Sequence, residues 1–233
     1  MKKLIGKNGL VITLLLVLGL GFSSCIKEES SDVNQNKIFA EYELSYDQNT
    51  DKTYASAVFK FSNGLGTKLH LSGPSNVTFG ADVLPYDPVF AYYRKEYAGK
   101  VDSGTFVFTD SLGHTYSNPV SLAAIIMNPS LDTIHKSGSF TYAWTGAAVA
   151  ANEAVGLTIA NAANAVYFQY FLQNSVGATD IVLPQTQLNN LPTVNANATI
   201  ERVFETTAPE VTSAGGKIRG KYKASSSPVY IAN

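Results

Sequence analysis

Residues 40–46 read Ala40-Glu41-Tyr42-Glu43-Leu44-Ser45-Tyr46. Ala40, Tyr42, Leu44 and Tyr46 fall on one side of an extended chain, and Glu41, Glu43 and Ser45 on the other. This period of two marks a half-buried β-strand. The pattern continues outward. Residues 47–51 (DQNTD) supply a turn, after which Ala55, Ala57, Phe59 and Phe61 oppose Ser56 and Lys60. Asn63-Gly64 is a strong turn signal. Residues 68–72 alternate again with Leu69 and Leu71 inward, and 77–79 form a short strand. Pro85 and Pro88 bracket a loop, with a strand expected over 89–97. Strands at 105–109 and 114–122 flank Asp110-Ser111-Leu112-Gly113, the clearest hairpin in the chain. Asn118-Pro119 places the second of these strands at a sheet edge, because proline cannot donate to a ladder.

A break falls at Asn128-Pro129-Ser130, and strands of similar spacing follow it. Phe140, Tyr142 and Trp144 alternate with Thr141 and Ala143, giving an aromatic inner face. The Ala-rich stretch 147–155 reads as a loop between Gly146 and Gly156. Further strands are expected at 156–160, 166–173, 180–183, 199–206, 217–223 and 229–232. In the stretch 217–223, Ile218, Gly220 and Tyr222 face one way, while Lys217, Arg219, Lys221 and Lys223 form a solvated outer face. The 13 Tyr, 12 Phe and only 15% charged residues suit pleated, half-buried surfaces. Short strands with regular turns mean sandwiches or barrels. The expected fold is all-β: two tandem Ig-like antiparallel β-sandwich domains, over 37–128 and 129–233. The single Trp on a central strand fits an Ig-like sandwich, although no Cys pair accompanies it.

The N-terminus has a different character. Lys2, Lys3 and Lys7 precede an apolar run over 10–20, and small residues then lead to Cys25. This is the layout of a secretory signal peptide, here 1–24. The run is too short to span a bilayer comfortably. Residues 26–36 (IKEESSDVNQN) lack apolar periodicity and read as a flexible tether. Cys25 is the one cysteine in the chain, so no disulfide within the chain staples the fold. Basic and acidic residues number 17 and 18. With Lys2, Lys3 and Lys7 set aside, the remainder is acidic, without the basic cluster that nucleic acid requires.

Two short motifs carry a resemblance. Ser24-Cys25 resembles the end of a bacterial lipobox, with Phe22 departing from the commonest form in a way that occurs in lipoproteins of the Bacteroidota. Ile26-Lys27-Glu28-Glu29 is similar to the Lys-acidic-acidic export signal of surface lipoproteins from the same group. The resemblance implies cleavage before Cys25, its lipidation, and outer-membrane anchoring. The chain then faces the cell exterior through Lys27, Glu28 and Glu29, or stays on the inner leaflet. The pattern Tyr142 to Gly146, Asn152-Glu153, Gly177 to Ile181, Ile200 to Arg202 and Gly215 to Ile218 resembles β-sandwich regions of uncharacterised lipoproteins of that group. It brings no activity with it.

Candidate chemistry is sparse. His70, His114 and His135 are scattered, whereas a metal site needs three or four convergent ligands. Asp47-x-Asn49-x-Asp51 has alternate oxygens, but Lys52 and Val58 stand where a calcium loop needs Gly and Glu, so an Asx-rich turn is expected. No catalytic motif is present, and nothing calls for a cofactor. Tyr86, Tyr92, Tyr93 and Tyr97 cluster within one loop and strand. Tyr92 and Tyr93 must face opposite ways, so one joins the core; the other, with Tyr86 or Tyr97, either packs on the sheet as tyrosines ordinarily do or forms a platform for a sugar ring or a protein. Asp110-Ser111-Leu112 and Asp132-Thr133-Ile134 resemble O-glycosylation acceptors of exported Bacteroidota proteins, which implies glycans on Ser111 and Thr133. The expectation is a non-enzymatic binding module for glycan beside a nutrient-uptake system. The alternative is an adhesion or envelope-assembly protein with a protein partner, and a hydrolase ranks last.

Overall fold

The computed structural model describes residues 28–128, 131–164 and 166–233. The expected signal peptide, Cys25 and Lys27 lie outside the described residues, as do Pro129 and Ser130 at the expected domain break. Strands in the first part of the chain are β1 (Glu28–Glu29), β2 (Ile38–Asp47), β3 (Lys52–Phe61), β4 (Leu69–His70), β5 (Asn76–Phe79), β6 (Asp82–Val83), β7 (Tyr86–Asp87), β8 (Tyr92–Ala98), β9 (Ser103–Thr109) and β10 (Thr115–Ser121). The remainder are β11 (Thr133–His135), β12 (Phe140–Ala143), β13 (Glu153–Asn161), β14 (Phe168–Gln173), β15 (Asp180–Leu183), β16 (Val194–Thr207), β17 (Gly216–Lys223) and β18 (Ser227–Ala232). One helical turn, α1 (Gln185–Leu188), precedes β16. The chain is all-β and built as packed sheets.

Alternation dictates the first core. The inward residues of β2 and β3, among them Tyr42, Leu44, Ala57 and Phe59, meet those of a four-stranded sheet ordered β10-β9-β5-β6. Tyr42 stacks on Phe106 at 5.1 Å, and Phe59 meets Phe108 at 4.6 Å. Such ring pairs add about 1 kcal/mol each beyond the area they bury. A second core gathers Trp144, Tyr142, Leu157, Ile159, Ile181 and Leu183 between β13, β14, β16 and β18 on one side and the β12–β15 pair on the other.

The two cores share one sheet. β16 is 14 residues long and pairs along its length with β13. Its other edge is divided: residues 194–198 pair with β18, and residues 201–207 pair with β17. β17 then runs parallel to β2 over eight residue pairs, from Gly216↔Ala40 to Lys223↔Asp47. Thus β17, which lies well beyond residue 128, is a strand of the first sandwich. Ala208 and Ile218 belong to the first core, while Tyr46, Ile125 and Met127 belong to the second. The segment before β17 is fastened too: Thr212 Oγ1 donates to the Ile38 carbonyl (2.8 Å), and Asn118, fully buried, exchanges hydrogen bonds with the Glu210 backbone. Gly220 permits a close approach of β17 to β10, since a Cβ there would stand 2.5 Å from the Ser121 carbonyl oxygen.

Two local expectations are corrected. Residues 28–36, expected as a flexible tether, are ordered against the first sandwich. β1 pairs in parallel with β4, Ser30 is buried, and Gln35 donates to the Ser30 and Val33 carbonyls. Polar side chains do here what apolar periodicity does elsewhere, so hydropathy does not reveal it. Residues 89–91 are a turn rather than the start of β8, with Ala91 at φ 53°. Asp87 sets that turn by accepting from the Val89 and Phe90 amides.

A fragment ending at residue 128 lacks β17 and leaves β2 with an open edge. Expressed alone, 28–128 is expected to give no cooperative melt, whereas 28–233 melts in a single calorimetric transition; two separate transitions for 28–233 would contradict the shared sheet.

Candidate functional site

The outer face of the shared sheet carries a charge ladder. β17 is basic, and the strands on both sides of it are acidic. Lys221 pairs with Glu201 (2.8 Å), Lys223 with Asp47 (2.8 Å), Lys217 with Glu205 (3.0 Å), and Arg219 with both Glu205 and Glu43 (3.1 Å to Glu43). One strand further, Lys60 pairs with Glu41 at 2.8 Å and Lys52 with Glu96 at 2.7 Å. Opposite charges on directly facing strands stabilise the sheet and oppose slippage of its register.

A cleft opens where this ladder is interrupted. Register aligns Glu205, Arg219, Glu43, Ser56 and Arg94 across five strands. Ser45 and Ser56 are short, and longer side chains ring them. The result is a cavity of about 420 Å³ lined by Glu41, Glu43, Ser45, Tyr54, Ser56, Val58, Tyr92, Arg94, Glu205, Lys217 and Arg219. A second hollow of about 630 Å³ lies beyond β8, against Pro85, Tyr86, Asp87 and Pro88. Tyr54, Tyr92 and Arg94 line both. The Arg94 guanidinium sits 3.7 Å above the Tyr54 ring and donates to the Tyr92 hydroxyl at 3.2 Å. Phe90 stacks on Tyr92 at 5.8 Å and is largely exposed, as is Val89.

The four tyrosines of the expected platform divide. Tyr93 is buried, and its hydroxyl accepts from the Leu71 amide at 2.6 Å. Burial pushes its phenol up to about 12. Tyr86 leans against Tyr93 and His70 at 5.0 and 4.4 Å, and Tyr97 against Phe79 at 5.9 Å. Those three side with the first core, since alternation along β8 puts 93 and 97 on one face and 92 and 94 on the other. Only Tyr92 serves the outer face, and its companions are Tyr54, Phe90 and Arg94. The period-two rule applied to β3 and β8 together points to Tyr54 and Arg94, but their contact depends on the β3–β8 register.

The remaining candidates have structural partners. Glu28 pairs with Leu69 in register, and Glu29 meets His70 Nδ1 at 2.9 Å, which holds its carboxyl below the ordinary range. Ser111 lies in the β9–β10 turn, half-buried, with its amide donating to Gln35 Oε1. Asp110 beside it is fully buried and caps the turn by accepting from the Leu112 and His114 amides. Thr133 opens β11, which pairs in parallel with β18. Asp47 accepts from the Asn49 amide at 2.9 Å and pairs with Lys223, which makes residues 47–51 an Asx turn. Among the described residues, no three of His, Asp and Glu converge as metal ligands.

No protein-family model matches the chain, and no curated protein matches it. Among solved structures, it is similar to one from work on host cell surface retention of a 1.5-MDa bacterial ice-binding adhesin. Identity is 13%, over 83% of this chain and 64% of that one, with a TM-score of 0.24. This chain therefore spans under two thirds of that protein's chain, and a likeness at this level carries no argument. Among the described residues, no helix is long and apolar enough to cross a membrane.

Hydrogen bonds from Lys217 and Arg219 hold the Glu205 carboxyl below its usual range. A depressed folded pKa contributes stability above the unfolded value, about 4.3, and that stability is lost as pH falls through the folded value. Urea denaturation is expected to show Glu205→Gln less stable than wild type by about 1 kcal/mol at pH 7. The gap should close below about pH 4 as the wild-type carboxylate protonates.

Proposed function

We propose that the chain is a lipid-anchored outer-membrane protein that binds glycan at the cell exterior through the Tyr54–Tyr92–Arg94 cleft, without catalysing a reaction. The observation that carries this reading is the half-exposed Tyr92 ring, flanked by Phe90 and set in a cleft of polar side chains. An aromatic face with a polar surround suits a sugar, which has an apolar ring face and a hydroxyl rim. Hydrolysis by two carboxylates needs one with a raised pKa. The cleft carboxylates Glu41, Glu43 and Glu205 are each held by a cation instead, and the Glu205 pKa is lowered. Anchoring rests on the resemblance at Cys25 and on Lys27, Glu28 and Glu29. Glycans on Ser111 and Thr133 belong to the same proposal.

A second reading has its own observation. Among the described residues β14 pairs with β13 alone, and it exposes Phe168, Tyr170 and Leu172 on one side. An uncharged edge of this kind suits strand addition by a protein partner, as an adhesion or assembly component would use.

A glycan array probed with the mature chain separates the two. A bound saccharide whose affinity falls about tenfold or more in Tyr92→Ala supports the first reading, by the size of effect an aromatic anchor gives. Absence of any saccharide ligand, with protein capture lost in Leu172→Lys, supports the second. Cys25→Ala is expected to move the protein from the membrane fraction to the soluble fraction; retention in the membrane would overturn the anchor.

A further inference from the structure

Arg94 differs from its neighbours on the outer face of the sheet. Lys52, Lys60, Lys217, Arg219, Lys221 and Lys223 each hold a carboxylate. Among the described residues, Arg94 has no carboxylate within ion-pairing distance. Its guanidinium lies over the Tyr54 ring at 3.7 Å and gives one N–H to the Tyr92 hydroxyl. A guanidinium carries five N–H donors in a planar fork, so most remain uncommitted, at the wall common to both hollows. The carboxylates nearest in the fold are engaged elsewhere. Glu96 is bonded by Lys52 and feels Arg94 only as the weakest of the charges acting on it, Glu43 is held by Arg219, and Asp87 Oδ1 by two amides of its own turn. The Tyr54 ring and the Tyr92 hydroxyl hold the guanidinium in place, and its planar fork matches a carboxylate in bidentate geometry.

We infer that the saccharide bound here is acidic: a uronate whose sugar ring rests on Tyr92 and whose carboxylate is held by Arg94. This rests on the cleft being a glycan site, and it names the class of glycan. Tyr92 and Arg94 are two residues apart on one strand and therefore share a face. One ligand ring can then meet both.

The test uses the intact mature chain against oligosaccharides containing galacturonate, glucuronate or mannuronate, each beside its carboxyl-reduced neutral counterpart of equal length. Affinity is read by titration calorimetry at two salt concentrations. The expected result is at least one uronate ligand bound about tenfold or more tighter than its reduced form, the size of one charge-assisted contact. That advantage should shrink with added salt and vanish in Arg94→Gln. The comparison of acid with reduced ligand uses the wild-type chain, so it stands whether or not Arg94→Gln folds. Equal binding of acidic and reduced forms, lost in Tyr92→Ala, would overturn the acidic class while leaving the glycan cleft in place. Failure of every saccharide to bind would overturn both.

Discussion

The parallel pairing of β17 with β2 is the contact on which the rest of the molecule depends. β2 is the strand with the clearest alternation and supplies much of the first core. Without β17 its edge would present a row of unpaired backbone groups to solvent. The pairing also transfers Ile218 into the first core, while Tyr222, beside Tyr46 at 5.3 Å, closes the second. β16 continues the arrangement by giving half of one edge to β17 and half to β18. The two cores are therefore sections of one sheet, and their stabilities are coupled.

Charge specifies how that seam is drawn. A parallel pair with a featureless outer face can slip by two residues without exchanging inner and outer side chains. Here a slip would move Lys223 away from Asp47 and Arg219 away from Glu43. Each exposed pair contributes little alone, at most about 1 kcal/mol. Their joint effect is to favour one register over the others. Opposite Val155 of the second core the same logic operates under burial. Arg202 is almost wholly enclosed, donates to the Ala147 carbonyl, and lies 3.3 Å from Glu153. Trp144 donates to that same carbonyl at 3.1 Å. These bonds hold the Ala-rich loop 147–152 in place, which its composition alone would leave free to move.

The cleft is a by-product of this ladder. A row of long, paired side chains makes a flat surface, and two serines within it make a hollow. Among the described residues Arg94 forms no ion pair, and it lies over the Tyr54 ring instead. A surface built to match charge with charge thus leaves one cation available at its aromatic end.

Much of the strand pattern was legible from residues alone. The inner face of β2 (Ala40, Tyr42, Leu44 and Tyr46), the β9–β10 hairpin, and the buried triad Ile218, Gly220 and Tyr222 all follow from a period of two. The first half of β16 escaped, because Val-Asn-Ala-Asn-Ala alternates only small residues with asparagine and carries little hydropathy signal. The docking of residues 28–36 escaped because Ser30 and Gln35 are held by hydrogen bonds. Of the cleft, sequence indicated Tyr92 and its separation from Tyr93. It also named Tyr86, which leans on the core but lines the adjoining hollow, and Tyr97, which lines neither, and it omitted Tyr54, Phe90 and Arg94. Alternation is a local property of the backbone, so it sorts side chains into two faces from sequence alone. Which strands become neighbours is set by non-local pairing, and only the folded sheet brings Arg94 over Tyr54 and carries residues 216–223 back to residue 40.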